Sequence, residues 1–285
     1  MPFARALLYL GTAGAIALLA RSLIRGPVPL WVAGVALGGY LVLILCGVFF
    51  LRLQMFVDVL CRGPKDARGV ALTFDDGPSP EHTPKVLALL EEAGVKATFF
   101  VIGHKAKAFP ELVKQIAEQG HEVGIHGYSH DRLFSLRSPD LVRADLAKAI
   151  ESVEAAIGKV PTLFRPPVGH TSPRIAKALG AFDLTVVGWS ARGLDGLASA
   201  RAEKVAKRIV PKLRDGAIVL LHDAAERDDF TPASVAALPR ILEAMRARNL
   251  PGVTVSTWIE EEDMGEEEPQ PSSKTRRSRR AADRA

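Results

Sequence analysis

The sequence is poor in cysteine, with two in 285 residues, Cys46 and Cys61. Two thiols cannot staple a disulfide framework or build an all-cysteine metal site. Cys46 lies in an apolar run, and both are expected to be reduced and structural. Strong charge of one sign is also missing from the middle of the chain. The formal charge of +5 points by itself toward nucleic acid, but its distribution does not. Residues 56–259 carry 27 basic and 24 acidic side chains. So small a surplus lacks the basic footprint of a nucleic-acid binder. No internal repeat recurs at solenoid spacing. The first 55 residues hold four arginines and no acid.

What is present begins with apolar length. Hydrophobic residues make up 48% of the chain and mean hydropathy is +0.12, too apolar for disorder and high for a purely soluble protein. From Pro27 to Leu51 no residue is charged, and a bilayer core needs about 20 apolar residues in a helix. A buried core helix is the competing reading, but the run has no amphipathic period and is flanked by aromatic and Arg residues. Ala6 to Ala20 is a second uncharged stretch between Arg5 and Arg21. It lengthens through Ser22-Leu23-Ile24 if Arg21 snorkels. A cleaved signal peptide competes here, yet only one Arg precedes the run and a second hydrophobic run follows at once. Residues 1–55 are therefore expected to form a two-helix transmembrane anchor turned at Gly26-Pro27. Counting Lys and Arg around it tilts both ends toward the cytoplasm by a small margin. At the other end, 260–285 runs from acidic (Glu260 to Glu268) through Pro269-Gln-Pro-Ser-Ser to basic (Lys274 to Arg280). It reads as a disordered, solvated tail.

Between these ends, apolar runs alternate with helical patterns. Strands are expected at Val70–Phe74, Thr98–Ile102, Glu122–Ile125, Leu163–Arg165, Leu184–Trp189, Ala217–Leu221 and Val253–Ser256. Helices are expected at Pro84–Ala93, Pro110–Gln119, Pro139–Ile157, Pro173–Leu179, Ala202–Leu213 and Ser234–Arg248. Several open on Pro, which suits a first helical turn. Gly94, Gly120 and Gly158 stand where C-terminal caps belong. The alternation implies an α/β architecture with a parallel sheet.

Polar residues gather where strands end, the functional edge of βα folds. Asp75 and Asp76 close the first strand before Gly77-Pro78 turns the chain. His126 and His130 follow the third strand. At a spacing of four they share a face of a helical turn and can reach one metal ion. Asp76 is a plausible third ligand, and two His with one carboxylate leave a position open for water, as catalytic zinc sites do. Arg165 ends the fourth strand and can pair with a carboxylate. Pro166-Pro167 carries no N–H, so the Val168 amide sits in a stiff turn and can donate to an oxyanion. His222 ends the sixth strand as a candidate general acid, and Asp195 can orient it. His82, His104, His121 and His170 read as solvated or structural, with His82 near enough to line the mouth. Together these are the parts of a metal-assisted hydrolase.

The same residues resemble the five motifs of the NodB-homology polysaccharide deacetylases, carbohydrate esterase family 4. TFDDGPS at 73–79 resembles the first, GHEVGIHGYSH at 120–130 the second and FRPPVG at 164–169 the third. VVGWSARGLDG at 186–196 resembles the fourth and IVLLHD at 218–223 the fifth. The resemblance spans about residues 68–258. It implies a distorted (β/α)7 TIM-like barrel, here preceded by the anchor, with the deacetylase domain at 62–259. It implies that Asp75 is the catalytic base, that Asp76, His126 and His130 bind the metal, and that Arg165 positions Asp75. His222 becomes the acid and Asp195 tunes it. Val168 stands where an aromatic is usual, but the family uses that residue's backbone amide. Gly196 stands where many members have Trp, which should open one wall of the cleft.

The expected function is a membrane-anchored hydrolase, dependent on a divalent metal, most simply Zn2+, that removes acetyl groups from N-acetyl amino sugars of a polysaccharide or peptidoglycan. A wall substrate puts the catalytic domain outside the cytoplasm, with the helix connector inside, against the small Lys/Arg tilt. A cytoplasmic domain would instead favour deacylation of a lipid-linked sugar precursor. An inactive membrane-tethered carbohydrate-binding module is the reading from another class. The partners are the glycan and the membrane, with no nucleic acid.

Overall fold

The computed structural model describes residues 1–259. The charged tail expected at 260–285 lies outside the described residues. Two long helices come first, α1 (Phe3–Arg25) and α2 (Leu30–Phe49), with Gly26 between them at φ +87°. A connector of four residues folds them into a hairpin. Tyr40 on α2 packs against Gly11, and its hydroxyl lies 2.8 Å from Thr12 Oγ1. Ala4 and Gly47 are the buried residues of the pair. Both helices are long and apolar enough to cross a bilayer, with mean hydropathies of 1.7 and 2.4.

The remainder is a parallel seven-stranded sheet wrapped by helices. Its strands are β1 (Val70–Asp75), β2 (Ala97–Val101), β3 (Glu122–Ile125), β4 (Leu163–Phe164), β5 (Thr185–Val186), β6 (Ala191–Arg192) and β7 (Ala217–His222). Their spatial order is β5-β4-β3-β2-β1-β7-β6, and every pairing is parallel. The edge strands β5 and β6 do not pair, so the sheet curls into a half-barrel rather than a closed (β/α)7 barrel. A passing segment spans the opening: Leu60 bridges Val187, and Arg62 bridges Ala217. The helices around the sheet are α3 (Thr83–Ala93), α4 (Gly103–Ala108), α5 (Pro110–Glu118), α6 (Pro139–Ile157), α7 (Pro173–Leu179), α8 (Ala202–Ile209) and α9 (Ala233–Ala247).

Side chains alternate across each strand, which sorts the sequence into two cores. Val70, Leu72 and Phe74 of β1 face the helices, as do Phe99 on β2 and Val219 on β7. Ala71, Phe100, Leu163 and Ile218 point the other way and fill the concave side, together with Val187, Val255 and Trp258. Further along the same inward rows come Thr73, Arg165 and finally Asp75 and His222. The concave side is thus apolar at its base and polar at the C-terminal ends of the strands.

Two strand expectations differ from the structure. The run Leu184–Trp189 is not one strand: Thr185 and Val186 pair with β4, and a separate pair, Ala191–Arg192, joins β7. Val253–Ser256 is not a strand. Only Gly252 bridges Val70, and residues 255–259 then form a helical turn. Glu122 Oε2 accepts the Val255 and Ser256 amides at 3.0 and 3.2 Å. A remote carboxylate therefore satisfies the free N–H groups of that turn and favours its positive end. The short helix α4, GHKAKA, had no pattern to announce it.

Candidate active site

The strand ends deliver their polar side chains to one cleft of about 470 Å³, lined among others by Asp75, Asp76, His126, His130, Asp195 and His222. A groove of about 570 Å³ between α3 and α9 is larger, but its lining has no histidine and no clustered carboxylates.

Asp75 is the last residue of β1 and is 3% exposed. Arg165 holds it from inside the sheet. Its Nη1 donates to Asp75 Oδ1 at 2.6 Å and to Thr73 Oγ1 at 2.8 Å. Its remaining N–H groups reach the carbonyls of Val187 and Gly188 at 3.2 and 2.9 Å. The guanidinium lies 4.1 Å above the Phe100 ring. Burial pulls the Arg165 pKa down and the Asp75 carboxylate opposes it. A buried cation with its donors satisfied fixes one carboxylate oxygen and leaves the other facing the cleft.

Asp76 departs from the strand at φ +71°, a conformation that aspartate adopts more readily than most residues. Its turn is tight: a Cβ on Gly77 would come within 2.4 Å of Asp223 Oδ2, so only glycine fits. Asp76 Oδ1 is buried without a hydrogen-bond partner. It lies 3.6 Å from His126 Nε2 and 3.3 Å from His130 Nε2. The three ligand atoms are all within 4.8 Å of one another. His126 Nδ1 donates to the Arg165 carbonyl at 2.7 Å, which leaves Nε2 with the lone pair turned to Asp76. Burial, the largest influence, lowers the His126 pKa and favours the neutral ring that ligates metals. A buried orphan carboxylate oxygen facing two imidazole nitrogens suits a divalent cation.

The histidine pair does not sit on a helical turn. Residues 126–130 form an irregular loop with Gly127 at φ +75° and His130 at φ +49°. Asp145 on α6 shapes it: its carboxylate accepts the Tyr128 amide at 2.7 Å and the Ser129 amide and hydroxyl at 3.1 and 2.6 Å. The spacing of four still brings both rings together, with centroids 4.9 Å apart.

Val168 lies on the cleft wall after Pro166-Pro167, with φ +52° and ψ +8°. That is a strained conformation for a β-branched residue. No acceptor among the described residues takes its N–H. His222 ends β7 across the cleft. Asp195 Oδ2 accepts its amide at 2.7 Å and lies 3.2 Å from Nδ1. Burial lowers the His222 pKa, but the Asp195 charge and hydrogen bond, with Asp76 and Asp75 further off, outweigh it and raise the value to about 10. Gly196 packs flat against this ring, where a Cβ would meet the ring atoms at 2.9 Å. The other histidines stay outside this constellation. His82 and His121 are buried, His121 accepting the Ala97 amide at 3.2 Å, and His104 bonds the Tyr128 carbonyl. His170 stacks edge-on against Phe49 of α2.

The structure adds cleft residues to which the sequence assigned no role: Trp189 and Arg192 within the fourth motif, and Arg132, Glu226 and Arg227 outside every motif. Trp189 follows from strand alternation beyond Val187. Glu226 and Arg227 stand in AERDD, a charge mixture that reads as solvated loop. Glu226 accepts from Arg132 Nε at 2.9 Å, and its Oε1 lies 3.5 Å from His130 Nδ1. Burial tends to raise the Glu226 pKa, but Arg132 and His130 hold it below the ordinary carboxylate range.

Comparisons with known proteins place this geometry. The polysaccharide deacetylase family model matches residues 62–187. A peptidoglycan-N-acetylglucosamine deacetylase of Bacillus cereus is 36% identical over 198 residues, 69% of this chain and 90% of the relative. Among solved structures, a family 4 acetyl xylan esterase from Clostridium thermocellum in complex with a cobalt ion is 32% identical. It matches with a TM-score of 0.61 over 68% of this chain and 91% of its own. A CE4 family pseudoenzyme from Bacillus anthracis is 25% identical and matches with a TM-score of 0.64 over 73% of this chain and 71% of its own. The chain belongs to the polysaccharide deacetylase family, carbohydrate esterase family 4.

Proposed function

We propose that this protein is a membrane-anchored, metal-dependent hydrolase that removes the acetyl group from N-acetylglucosamine units of peptidoglycan or a related glycan. The observation that carries the proposal is the convergence of six groups on one cleft. They are an Arg-held carboxylate, a buried Asp-His-His cluster, a free backbone amide and a carboxylate-paired histidine. The substrate class is supported by the Bacillus cereus relative, whose name specifies peptidoglycan N-acetylglucosamine.

Asp76, His126 and His130 would hold the metal, zinc in our reading. A divalent ion there supplies Lewis-acid polarisation and lowers the pKa of a water toward about 7. The chain's own groups do the remaining work. Asp75, fixed by Arg165, takes the proton of the water as its oxygen bonds to the acetamide carbon. The Val168 N–H donates to the oxygen on which negative charge develops. The carbon–nitrogen bond then breaks, and His222, held protonated by Asp195, gives its proton to the departing amine. The products are acetate and a glucosamine unit.

Asp75→Asn keeps the side-chain shape but loses the base, so kcat should fall by roughly 10²–10⁴-fold or more while bound zinc stays stoichiometric. Wild-type turnover in that variant would remove Asp75 from the chemistry. The likeness to a pseudoenzyme favours a second reading, a glycan-binding module without turnover. Sugar and zinc binding with no acetate released would establish it.

The organisation proposed is an anchor at 1–55, a deacetylase domain at 62–259 and a tail at 260–285. An uncleaved hairpin is supported at its outer end. Arg5 donates to the Gln54 carbonyl at 3.1 Å and to Asp58 at 2.9 Å, tying the start of α1 to the chain that leaves α2. Both outer ends thus share the side of the catalytic domain, and we place that side outside the cytoplasm. A reporter fused after Ser256 tests the orientation.

A further inference from the structure

The two histidines of the Asp-His-His cluster are supported unequally. His126 Nδ1 has a backbone carbonyl at 2.7 Å. His130 Nδ1 is buried and makes no hydrogen bond among the described residues, but Glu226 Oε1 lies 3.5 Å from it. His130 also sits at the far end of the irregular loop 126–130, at φ +49°. Neither regular structure nor a carbonyl orients its ring. An imidazole that ligates a metal through one nitrogen nearly always donates from the other, and that acceptor fixes ring and tautomer.

Glu226 is built to be that acceptor. Its other oxygen, Oε2, takes Arg132 Nε at 2.9 Å and Nη2, which leaves Oε1 free to turn toward His130. Arg132 lies two residues beyond His130, so the clamp ties the two loops directly. The Glu226 loop is pinned from behind as well. Lys105 on α4 is 4% exposed and donates to the Ala225 carbonyl at 2.8 Å and to Asp228 at 2.9 Å. A lysine buried to hold a surface loop makes sense when that loop carries a residue whose place matters.

We propose that Glu226 is a positioning residue of the metal centre, accepting the His130 Nδ1 proton and holding the ring for ligation, with Arg132 and Lys105 fixing Glu226. The inference rests on the deacetylase reading only in taking Asp76, His126 and His130 as metal ligands. In this role Glu226 would act through His130 and would not itself be a ligand.

The test is zinc affinity of the full-length protein in detergent, by competition with a chromogenic chelator. Wild type, Glu226→Ala, Glu226→Gln and Arg132→Ala would be compared, with circular dichroism as the check on folding. Glu226→Ala should bind zinc about 10–100-fold more weakly. Glu226→Gln keeps an acceptor and should lose less, and Arg132→Ala should fall between. At saturating zinc, kcat of Glu226→Gln should return close to wild type, because the residue acts through His130. Folded Glu226→Ala with wild-type zinc affinity would overturn the role of Glu226 and leave the deacetylase reading intact. Absence of zinc binding in the wild type would overturn both. If Glu226→Ala does not fold, the comparison of Glu226→Gln with wild type decides, equal affinity overturning the proposal.

Discussion

Asp195 and His222 show how much one buried carboxylate can do. Burial alone would make His222 a weak base, neutral at pH 7. The Asp195 oxygen beside Nδ1 reverses that and raises the pKa to about 10. In the zinc-free protein an NMR titration should find His222 protonated well above pH 8. Asp195→Asn should bring the midpoint down toward the ordinary value near 6.5, since burial is then opposed only by the more distant charges of Asp76 and Asp75. An unmoved midpoint would remove Asp195 from this role. The linkage has a definite sign. A folded pKa above the unfolded one gives stability that is fully present below about pH 6.5 and is lost as pH climbs through about 10. At the same scale, the site was legible around the strand ends: Asp75 and His222 close their strands, Asp76 and Arg165 come one residue after theirs, and the Pro-Pro turn before Val168 follows. Glu226 and Asp145 were not. Each acts across a fold contact, from a loop and from mid-helix, and no local spacing encodes that.

The helical turn at 255–259 matters more than its length suggests. Its Trp258 is 1% exposed at the base of the concave core, and the indole Nε1 donates to the Arg68 carbonyl at 3.0 Å. Beside it are Phe100 and Ile218, below the layer that carries Arg165 and Asp75. Trp258→Ala should cost about 3–5 kcal/mol of stability in urea unfolding. A loss below about 1 kcal/mol would show that the base of the sheet repacks without it. This turn also marks where pattern reading fails. Val253–Ser256 has the composition of a strand, but the Glu122 carboxylate captures the amides of Val255 and Ser256. The long run Leu184–Trp189 was too long: only Thr185–Val186 is strand, Gly188 gives its carbonyl to Arg165, and a separate strand follows at Ala191–Arg192. Seven strands were expected and seven are present, through two departures that offset each other. The helices were easier to read, because Pro at the start and Gly past the end are local signals. Pro139–Ile157 and Pro173–Leu179 have the same bounds in sequence and structure.

At the scale of the whole molecule, the hairpin and the sheet are joined by a buried segment. Leu51, Val57 and Val59 belong to the main core, and Met55 is 2% exposed. Gly188 leaves room for Leu51, Val59 and Cys61 beside the strand that supports Arg165. The end of α2 also meets the active-site turn: the Thr171 amide donates to the Val48 carbonyl at 3.3 Å, three residues past Val168. A fragment beginning at residue 62 should therefore be less stable than one beginning at residue 51, by at least about 2 kcal/mol, since burying each such aliphatic side chain contributes roughly 1.5–3 kcal/mol. Equal unfolding midpoints for the two fragments would show that the segment merely passes over the surface.

Acetate release tests the central claim most directly. Full-length protein in detergent would be stripped with a chelator and assayed on N-acetylglucosamine oligomers and on peptidoglycan, with and without added Zn2+. Release that is absent after stripping, returns with zinc and stays absent in Asp75→Asn is the expected result. No release from either substrate, with zinc bound at one equivalent, would contradict the assignment of this cleft as a deacetylase active site for these glycans.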